Sequence, residues 1–563
     1  TKMFGILFAN WYNNGNEVPT DKKSAKEYWD DRLKKVATFA STDEYLLMNG
    51  CDHQPVQADL GKAIEVASEL YPDINFKHSN FPDYIKAIKE KVPNDLAVVK
   101  GELTSQDTDG WSTLINCASS HIYLKQMNRK CESALENGAE PVRVLSSVLG
   151  QNYPSDELEY SWKKLMQNHP HDSICCCSVD EVQDEMATRF NKSKQVADYL
   201  VSEGTRYIAD KINTKEYEKY KNALPFVVFN TTGRKRTSVV SVEIDVTRKS
   251  GWLKKCAYDL DEINVPNYKL IDSAGNSIPF KIEDLGVRFG YDLPKDKFRQ
   301  PYMARRVRVT FEAENISAVG YKTYALVEGD AEKVTDTLVS GENCMENDAI
   351  RVEINKNGSL NVTDKASGRT YKGVAYYEET GDLGNEYMYK MPEGSKAITT
   401  QDTVAKIELA EDEPYRAMYK ITNTITVPKS GDDNFEDEKR HMVFFKERVG
   451  GRSNDTVEMK IETFVSLDKN GKGVKIKTRF DNEVKDHRVR IMVPTGINSD
   501  VHKADSVFEV VTRNNRHNAG WNNPSGCEHE QGFVSIDDGE KGIAVANIGL
   551  YEYEMLPDLD NTI

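Results

Sequence analysis

No run among the 563 residues is apolar for long enough to cross a bilayer, and the mean hydropathy of -0.62 is that of a chain made for water. Positive charge is also scarce: 90 acidic side chains against 74 basic ones give a formal charge of -16 and a pI of about 5.3. A surface of that sign repels phosphate backbones and anionic headgroups, so neither nucleic acid nor a membrane is expected as a partner. Cysteine is sparse. Of nine, six (Cys51, Cys117, Cys131, Cys256, Cys344 and Cys527) stand singly without paired spacing, and an odd count excludes a complete disulfide framework. A reducing, cytoplasmic compartment is the expectation. Internal repeats and low-complexity tracts are missing too, and the composition leaves the oligomeric state, a homo-oligomer included, open. The opening "TKMFGILFANWY" reads as a strand already in progress, with no charged-then-apolar leader, and "DLDNTI" carries no terminal signal, so a piece of a longer polypeptide is expected.

A chain of this length needs several cores, and three textures follow one another. Over residues 1–106, short apolar runs ("MFGILFAN", "EYLLMNG", "DLAVVKGEL") alternate with helix-like stretches ("SAKEYWDDRLKKVATFAS", "LGKAIEVASEL"), a pattern that predicts an α/β unit built on a parallel sheet. Chemistry in such sheets collects at the carboxyl ends of strands, here Ala9–Glu17 and Asn49–Pro55. Over 107–221 the three-to-four spacing of Leu114, Cys117, Leu124, Met127, Cys131 and Leu135, and of Val182, Met186, Phe190, Val196, Leu200, Tyr207 and Ile208, predicts an all-α bundle. Ser178 and Glu181 form a capping box for the second of these helices. Over 222–563 apolar and polar residues alternate, and Asn357-Gly358 signals a hairpin, so antiparallel β-sandwiches are expected. "SGDDNFEDEKR" (Ser430–Arg440) reads as an exposed acidic loop.

The most distinctive stretch is "NHPHDSICCCSVDEV", residues 168 to 182. A residue before proline is pushed out of the helical region, so the helix "LEYSWKKLMQN" must stop near His169, leaving His171 and Asp172 in a short constrained loop. A neutral imidazole suits zinc, and an adjacent carboxylate accepts hydrogen bonds from sugar hydroxyls. A lone loop histidine is more often solvated or bonded to backbone, and the residues alone leave both readings open. Cys175, Cys176 and Cys177 cannot all face one ion from adjacent positions, so packing thiols are the better reading. In "LLMNGCDHQP", Asp52 follows an apolar run and is a candidate general acid; its plain alternative is a cap for the helix that begins near "GKAIEVASEL".

In this order these residues resemble glycoside hydrolase family 38, the α-mannosidases, and "NHPHDSICCCSVDEV" is similar to the bacterial branch. "FANWYNNGNEVP", "NGCDHQPVQ", "GELTSQ", "NGSLNVTDKASGRTY", "DLGNEYMY" and "RHNAGWNNPSGCEHEQGFVS" fall in the family's order, so the likeness spans nearly the whole chain. The resemblance implies a multidomain fold: the C-terminal part of an α/β barrel-like catalytic domain over 1–106, a three-helix bundle over 107–221 and β-sandwiches over 222–563. It implies His171 as a zinc ligand, Asp172 as a sugar contact, Asp52 as the catalytic acid/base, and Trp11 and Tyr12 as lining of the mannose pocket. The implied reaction is zinc-dependent, retaining release of terminal α-linked mannose from an oligosaccharide or mannoside, with two carboxyl groups roughly 5 Å apart. The family's aspartate nucleophile and early histidine-x-aspartate zinc motif have no match in Thr1–Leu7, so this chain is expected to be inactive alone and a poor zinc binder. Cys176 stands where relatives carry glycine, which predicts a strained or differently turned loop. Hydrolysis of mannosylglycerate or a phosphorylated mannoside is the near alternative, and a non-catalytic carbohydrate-binding fragment the distant one.

Overall fold

A computed structural model describes residues 2–8, 10–103, 109–111, 113–332, 335–523 and 525–563. The chain divides into two compact units, Thr1–Leu103 and Thr104–Ile563. The boundary expected between 106 and 107, part of "GELTSQ" and the bundle's expected start at Ser112 lie outside the described residues.

Among the described residues the first unit has three helices, α1 (Lys22–Phe39), α2 (Leu60–Leu70) and α3 (Phe81–Lys89). Two start where a polar side chain takes up an otherwise free N–H: Asp21 accepts from Ser24 N and Asn80 from Asp83 N. Val18, Ala25, Trp29, Ala63, Val66 and Ala67 close a small core between α1 and α2. The apolar runs expected as strands are extended but, among the described residues, form no ladder, and Met3, Leu7, Val98, Val99 and Leu103 are exposed. Strands of a parallel sheet are paired and covered on both faces, and these runs are neither. Carboxamides join them instead. Asn14 Nδ2 donates to Leu46 O at 3.0 Å while its Oδ1 accepts from Met48 N at 2.7 Å. Gln57 does the same for Val18, donating to its carbonyl at 2.7 Å and accepting from its N–H at 3.0 Å. A side-chain amide carries the donor and acceptor of a peptide group, so each substitutes for a rung of a ladder. One backbone rung, Gly15 N to Met48 O at 2.9 Å, lies between them. A Cβ on Gly15 would sit 2.9 Å from the Leu47 backbone carbon, so the approach requires glycine.

The second unit opens with the expected bundle. Its helices are α4 (Ile122–Ser133), α5 (Glu140–Val148), α6 (Ser155–Met166), the single turn α7 (His171–Ile174) and the 30-residue α8 (Asp180–Ala209). A π-helical stretch, Ala134–Ala139, fuses α4 to α5 immediately before Pro141, whose missing N–H the wider turn accommodates. Leu124, Cys131, Leu135, Leu158, Leu165, Met186, Phe190 and Leu200 fill the core. The buried stripe of α8 also includes Gln183, Ser193 and Gly204, which a count of apolar residues passes over. Ser193 pairs with Ser161 of α6, and a Cβ on Gly204 would meet Val142 Cγ1 at 2.6 Å, so small residues let α8 approach its neighbours closely. The expected capping box is not formed. Val179 is the N-cap of α8, and Ser178 Oγ is turned inward without a hydrogen-bond partner among the described residues. Gln183 has taken over the task of closing this turn, its Nε2 donating to Cys176 O at 3.3 Å and Ser178 O at 3.0 Å.

The remainder is antiparallel sheet. Leu224–Asn230, Gly320–Glu328, Tyr268–Asp272 and Ser277–Ile278 form one layer; Arg236–Lys249, Gln300–Ile316 and Phe280–Asp292 form the other. They pack through Leu270, Val309, Phe311, Tyr324 and Leu326. Further sheets follow, and their main core joins Val352, Leu360, Tyr419, Ile421, Val465 and Leu467. The hairpin at Asn357-Gly358 is formed, pairing Ile350–Ile354 with Leu360–Asp364, with Gly358 at φ 86°. Two helices interrupt the β region against expectation, Leu253–Asp261 and Asp433–Arg440. The second replaces the supposed acidic loop: Asp432 caps it by accepting from Phe435 N, and Phe435 is buried, so one apolar anchor outweighs the charge around it.

Glu530 is 1% exposed, and burial pushes its carboxyl up to about 7 even though Asn547 donates to it and Arg129 and Arg513 oppose the shift. A carboxyl whose folded value is raised favours the fold below its unfolded value, and that contribution is lost as pH rises through about 7. Thermal melts of Glu530→Gln should therefore vary less between about pH 5 and pH 8 than those of the parent. At the upper end the variant should be more stable, by on the order of 1–3 kcal/mol.

Candidate active-site residues

In the first unit, Trp11, Tyr12 and Asp52 come together. Trp11 sits at φ 68°, and its ring stacks on that of Tyr12 with centroids 5.5 Å apart and planes 25° apart. Tyr12 is turned toward the 51–54 bend, where its hydroxyl donates to Asp52 Oδ2 at 3.1 Å. That bond to a carboxylate, with the Cys51 sulfur also beside the hydroxyl, pushes the phenol up to about 12. The bend itself is pinned by Asn13 Nδ2 to Cys51 Sγ at 3.7 Å and Asn16 Nδ2 to Gln54 Oε1 at 3.3 Å, with His53 at φ 61°. Asp52 is exposed and does not cap α2; Asp59 occupies that N-cap, so the plain reading of Asp52 falls away. The aromatic pair and the carboxyl thus share one exposed surface, positioned by the carboxamide rungs beneath it.

In the second unit, Pro170 ends the α6 segment as expected and is the N-cap of α7, which begins at His171. The two histidines around Pro170 have separate fates. His169 turns its ring toward α4, its Nε2 2.8 Å from Asn128 Oδ1, and the loss of water around the ring lowers its pKa. His171 projects outward with 89% of its side chain exposed, and its Nε2 is 3.4 Å from Asp172 Oδ1, itself on a side chain 71% exposed. Cys177 folds back beneath them, its thiol donating to Asp172 O at 3.5 Å and to Oδ1 at 3.6 Å. Cys176 adopts φ 65°, the left-handed conformation that glycine would take without strain.

One neighbour was missed in the sequence. Tyr387, within "DLGNEYMY", has its phenol beside the Cys177 sulfur, which pushes it above its usual range. The segment bearing it is held by Asp382 Oδ1, which accepts from Gly384 N at 2.7 Å and Lys390 N at 3.1 Å, and by Asn385, which accepts from Tyr387 N at 3.0 Å. Burial pushes the Asp382 carboxyl up to about 6. Tyr389 N donates to Asn116 Oδ1 at 2.8 Å, and Asn116 Nδ2 donates to Glu552 at 3.0 Å, tying this segment to the turn before α4. The only sequence signal for Tyr387 was the motif around it, since a tyrosine between Glu386 and Met388 has no periodic pattern to mark it.

Zinc takes about four donors. The α7 turn offers one imidazole and one carboxylate, and among the described residues no group of three or more His, Cys, Asp or Glu side chains is gathered as a ligand set. The residues present do not complete a zinc site.

Comparison with known proteins places these features in a family. Residues 112–208 match the "Alpha mannosidase middle domain", 221–328 the "Glycosyl hydrolases family 38 C-terminal domain 1" and 345–563 the "Glycosyl hydrolases family 38 C-terminal domain". A curated relative from Halalkalibacterium halodurans, named "Putative mannosylglycerate hydrolase", is 42% identical over 573 residues, which cover 99% of this chain and 63% of that protein. A crystal structure of an alpha-mannosidase from Enterococcus faecalis superimposes with a TM-score of 0.96 at 43% identity, and one of a family 38 protein from the same organism with 0.89 at 39%. All of this chain and 63% of each of those chains are covered, so the chain spans less than two thirds of the relatives it matches. The chain belongs to glycoside hydrolase family 38.

Proposed function

We infer that the whole protein is a zinc-dependent, retaining exo-α-mannosidase acting on terminal α-linked mannose, and that this chain supplies its proton donor and one face of its sugar pocket. The observation that carries the reading is the 3.1 Å bond from Tyr12 to Asp52. It occupies one carboxyl oxygen and fixes the carboxyl plane, leaving the other oxygen to give a proton to the departing glycosidic oxygen and to take one back from water in the second step. The stacked Trp11 and Tyr12 rings offer the flat apolar surface on which the C–H face of a sugar packs. Asp172 and Tyr387 would take hydrogen bonds from sugar hydroxyls. His171, whose side chain meets only Asp172 among the described residues, would give a single ligand to zinc, whose further donors would come from outside the described residues. The metal would supply Lewis-acid polarisation of sugar oxygens.

A second reading, hydrolysis of mannosylglycerate, is favoured by the name of the Halalkalibacterium relative. Assay of the whole protein on nitrophenyl α-mannoside and on mannosylglycerate separates the two, and inactivity on both with zinc present would sink the glycosidase reading altogether.

In the active protein, Asp52→Asn should slow turnover on unactivated mannosides by about 10²–10⁴-fold, with a much smaller loss on nitrophenyl leaving groups, which need no proton. Equal losses on both substrates would remove Asp52 from the donor role. Zinc content provides a readout independent of turnover. After dialysis the 563-residue chain should hold well under one equivalent, because a single imidazole is a poor cage, whereas His171→Ala in the whole protein should lower its zinc occupancy. Stoichiometric zinc retained by the 563-residue chain would contradict this.

A further inference from the structure

The cysteine triplet is the motif that hydrolysis leaves without a role, and its middle member has the least ordinary surroundings. Cys176 is 3% exposed and is held in the left-handed region, a cost that persists only where the surroundings enforce it. Its N–H donates to Ser173 O at 2.9 Å, its carbonyl accepts from Gln183 Nε2 at 3.3 Å, and its side chain belongs to the apolar core with Leu124, Met186 and Phe190. Into that core α4 sends Lys125, also 3% exposed, whose Nζ lies 3.2 Å from Cys176 Sγ. Among the described residues no carboxylate pairs with Lys125.

The acid within reach of the Lys125 amine is this thiol, and a proton passing across the contact interconverts two pairs: ammonium with thiolate, and amine with thiol. Burial pushes the thiol up while Lys125 pulls it down. Each alternative carries one strong nucleophile, the thiolate toward peroxide oxygen and the amine toward oxidised sulfur. The 3.2 Å separation is that of reacting atoms already in attack position.

We propose that Lys125 and Cys176 are a covalent modification site, at which a hydroperoxide joins the two side chains through a sulfur–nitrogen bond. In the first step the Cys176 thiolate attacks a peroxide oxygen, an S–O bond forms and the O–O bond breaks. Sulfur loses two electrons to the peroxide, and the departing hydroxide takes the Lys125 proton and leaves as water. In the second step the free amine attacks the sulfenic sulfur, an N–S bond forms and the S–O bond breaks. The hydroxyl leaves with an amine proton as a second water, and no further electrons are transferred. The sum is thiol plus amine plus hydrogen peroxide giving the cross-link and two waters. The bond would tie the segment carrying His171 and Asp172 to α4.

The test is covalent and needs no glycosidase activity, so it stands apart from the proposed hydrolysis. The folded chain is treated with hydrogen peroxide, quenched, digested and mapped by tandem mass spectrometry. The expected product joins the Lys125 peptide to the Cys176 peptide with loss of a pair of hydrogens, and a thiol reductant reverses it. It should fall to background in Cys176→Ser and in Lys125→Arg, which keeps the charge without the nucleophile, and persist in Cys117→Ser. Cys117 and Cys175 are neighbouring thiols and offer the rival product, a disulfide. A Cys117–Cys175 bond as the sole link, a sulfenic acid at Cys176 trapped by dimedone with Lys125 unmodified, or no reaction would each overturn the proposal. The wild-type map alone decides the matter if a variant fails to fold.

Discussion

The 2.8 Å contact between His169 and Asn128 is the constraint on which the second unit's candidate site depends. Two histidines flank one proline, and only one can point into the bundle. His169, the last residue before the forced break, reaches back to α4 and gives up solvent, which lowers its affinity for a proton. Pro170 then directs the chain outward, so His171 and Asp172 begin a new turn with their side chains exposed. The histidine anchored to α4 is therefore structural, while His171 stays exposed beside Asp172, and the division follows from local geometry without reference to a metal.

The first unit solves a comparable problem by another route. Among the described residues its apolar segments form no ladder, yet the Trp11–Tyr12 pair and the Asp52 bend must be held in register for a 3.1 Å bond to form between residues forty apart. Asn14 and Gln57 accomplish this by presenting side-chain amides where a strand would present peptides. Such rungs are short-range and few. Each contributes about 1 kcal/mol net, far from the cumulative stabilisation of a sheet, but each specifies one register because its donor and acceptor must meet one fixed pair of backbone groups.

Much of this was legible in the sequence wherever a local rule governs. The break at Pro170, the Asn357-Gly358 hairpin and the helical spacing of Leu124, Cys131 and Leu135 follow from backbone sterics and burial periodicity, which neighbours in sequence determine. What was illegible depends on partners distant in the chain. Ser178 and Glu181 satisfy every local criterion of a capping box, yet Gln183 closes the turn and Val179 caps the helix, because the core draws Ser178 inward. Ser430–Arg440 looks like a solvated acidic loop unless Phe435 is known to have a pocket. Gly204 and Ser193 read as breaks in an apolar stripe, and their smallness is intelligible only once α5 and α6 are seen against them. Tyr387 was missed for the same reason, since its relevance comes from a turn more than two hundred residues earlier.

The buried charges of the β region show why such distant partners are kept. Burial alone would raise the Glu379 carboxyl, yet His487 and Arg452 hold it below its usual range. Glu379 is fully buried and receives Arg452 Nη1 at 2.7 Å, while His487 Nδ1 lies 3.2 Å away. Desolvating these groups costs several kcal/mol each, and an apolar replacement of equal volume would stabilise the sheet as well or better. Their geometric demand is the difference: an apolar cluster tolerates sliding, whereas the His487 contact to Glu379, whose carboxylate Arg452 holds in place, fixes where Tyr376–Gly381 lies against His487–Met492. The next residues in the chain are Asp382 and the loop that carries Tyr387 to Cys177. A strand free to slip by one residue would turn that side chain to the opposite face. Electrostatic stability is thus exchanged for register, and the register is what sets a tyrosine of the β region beside the turn that carries His171 and Asp172.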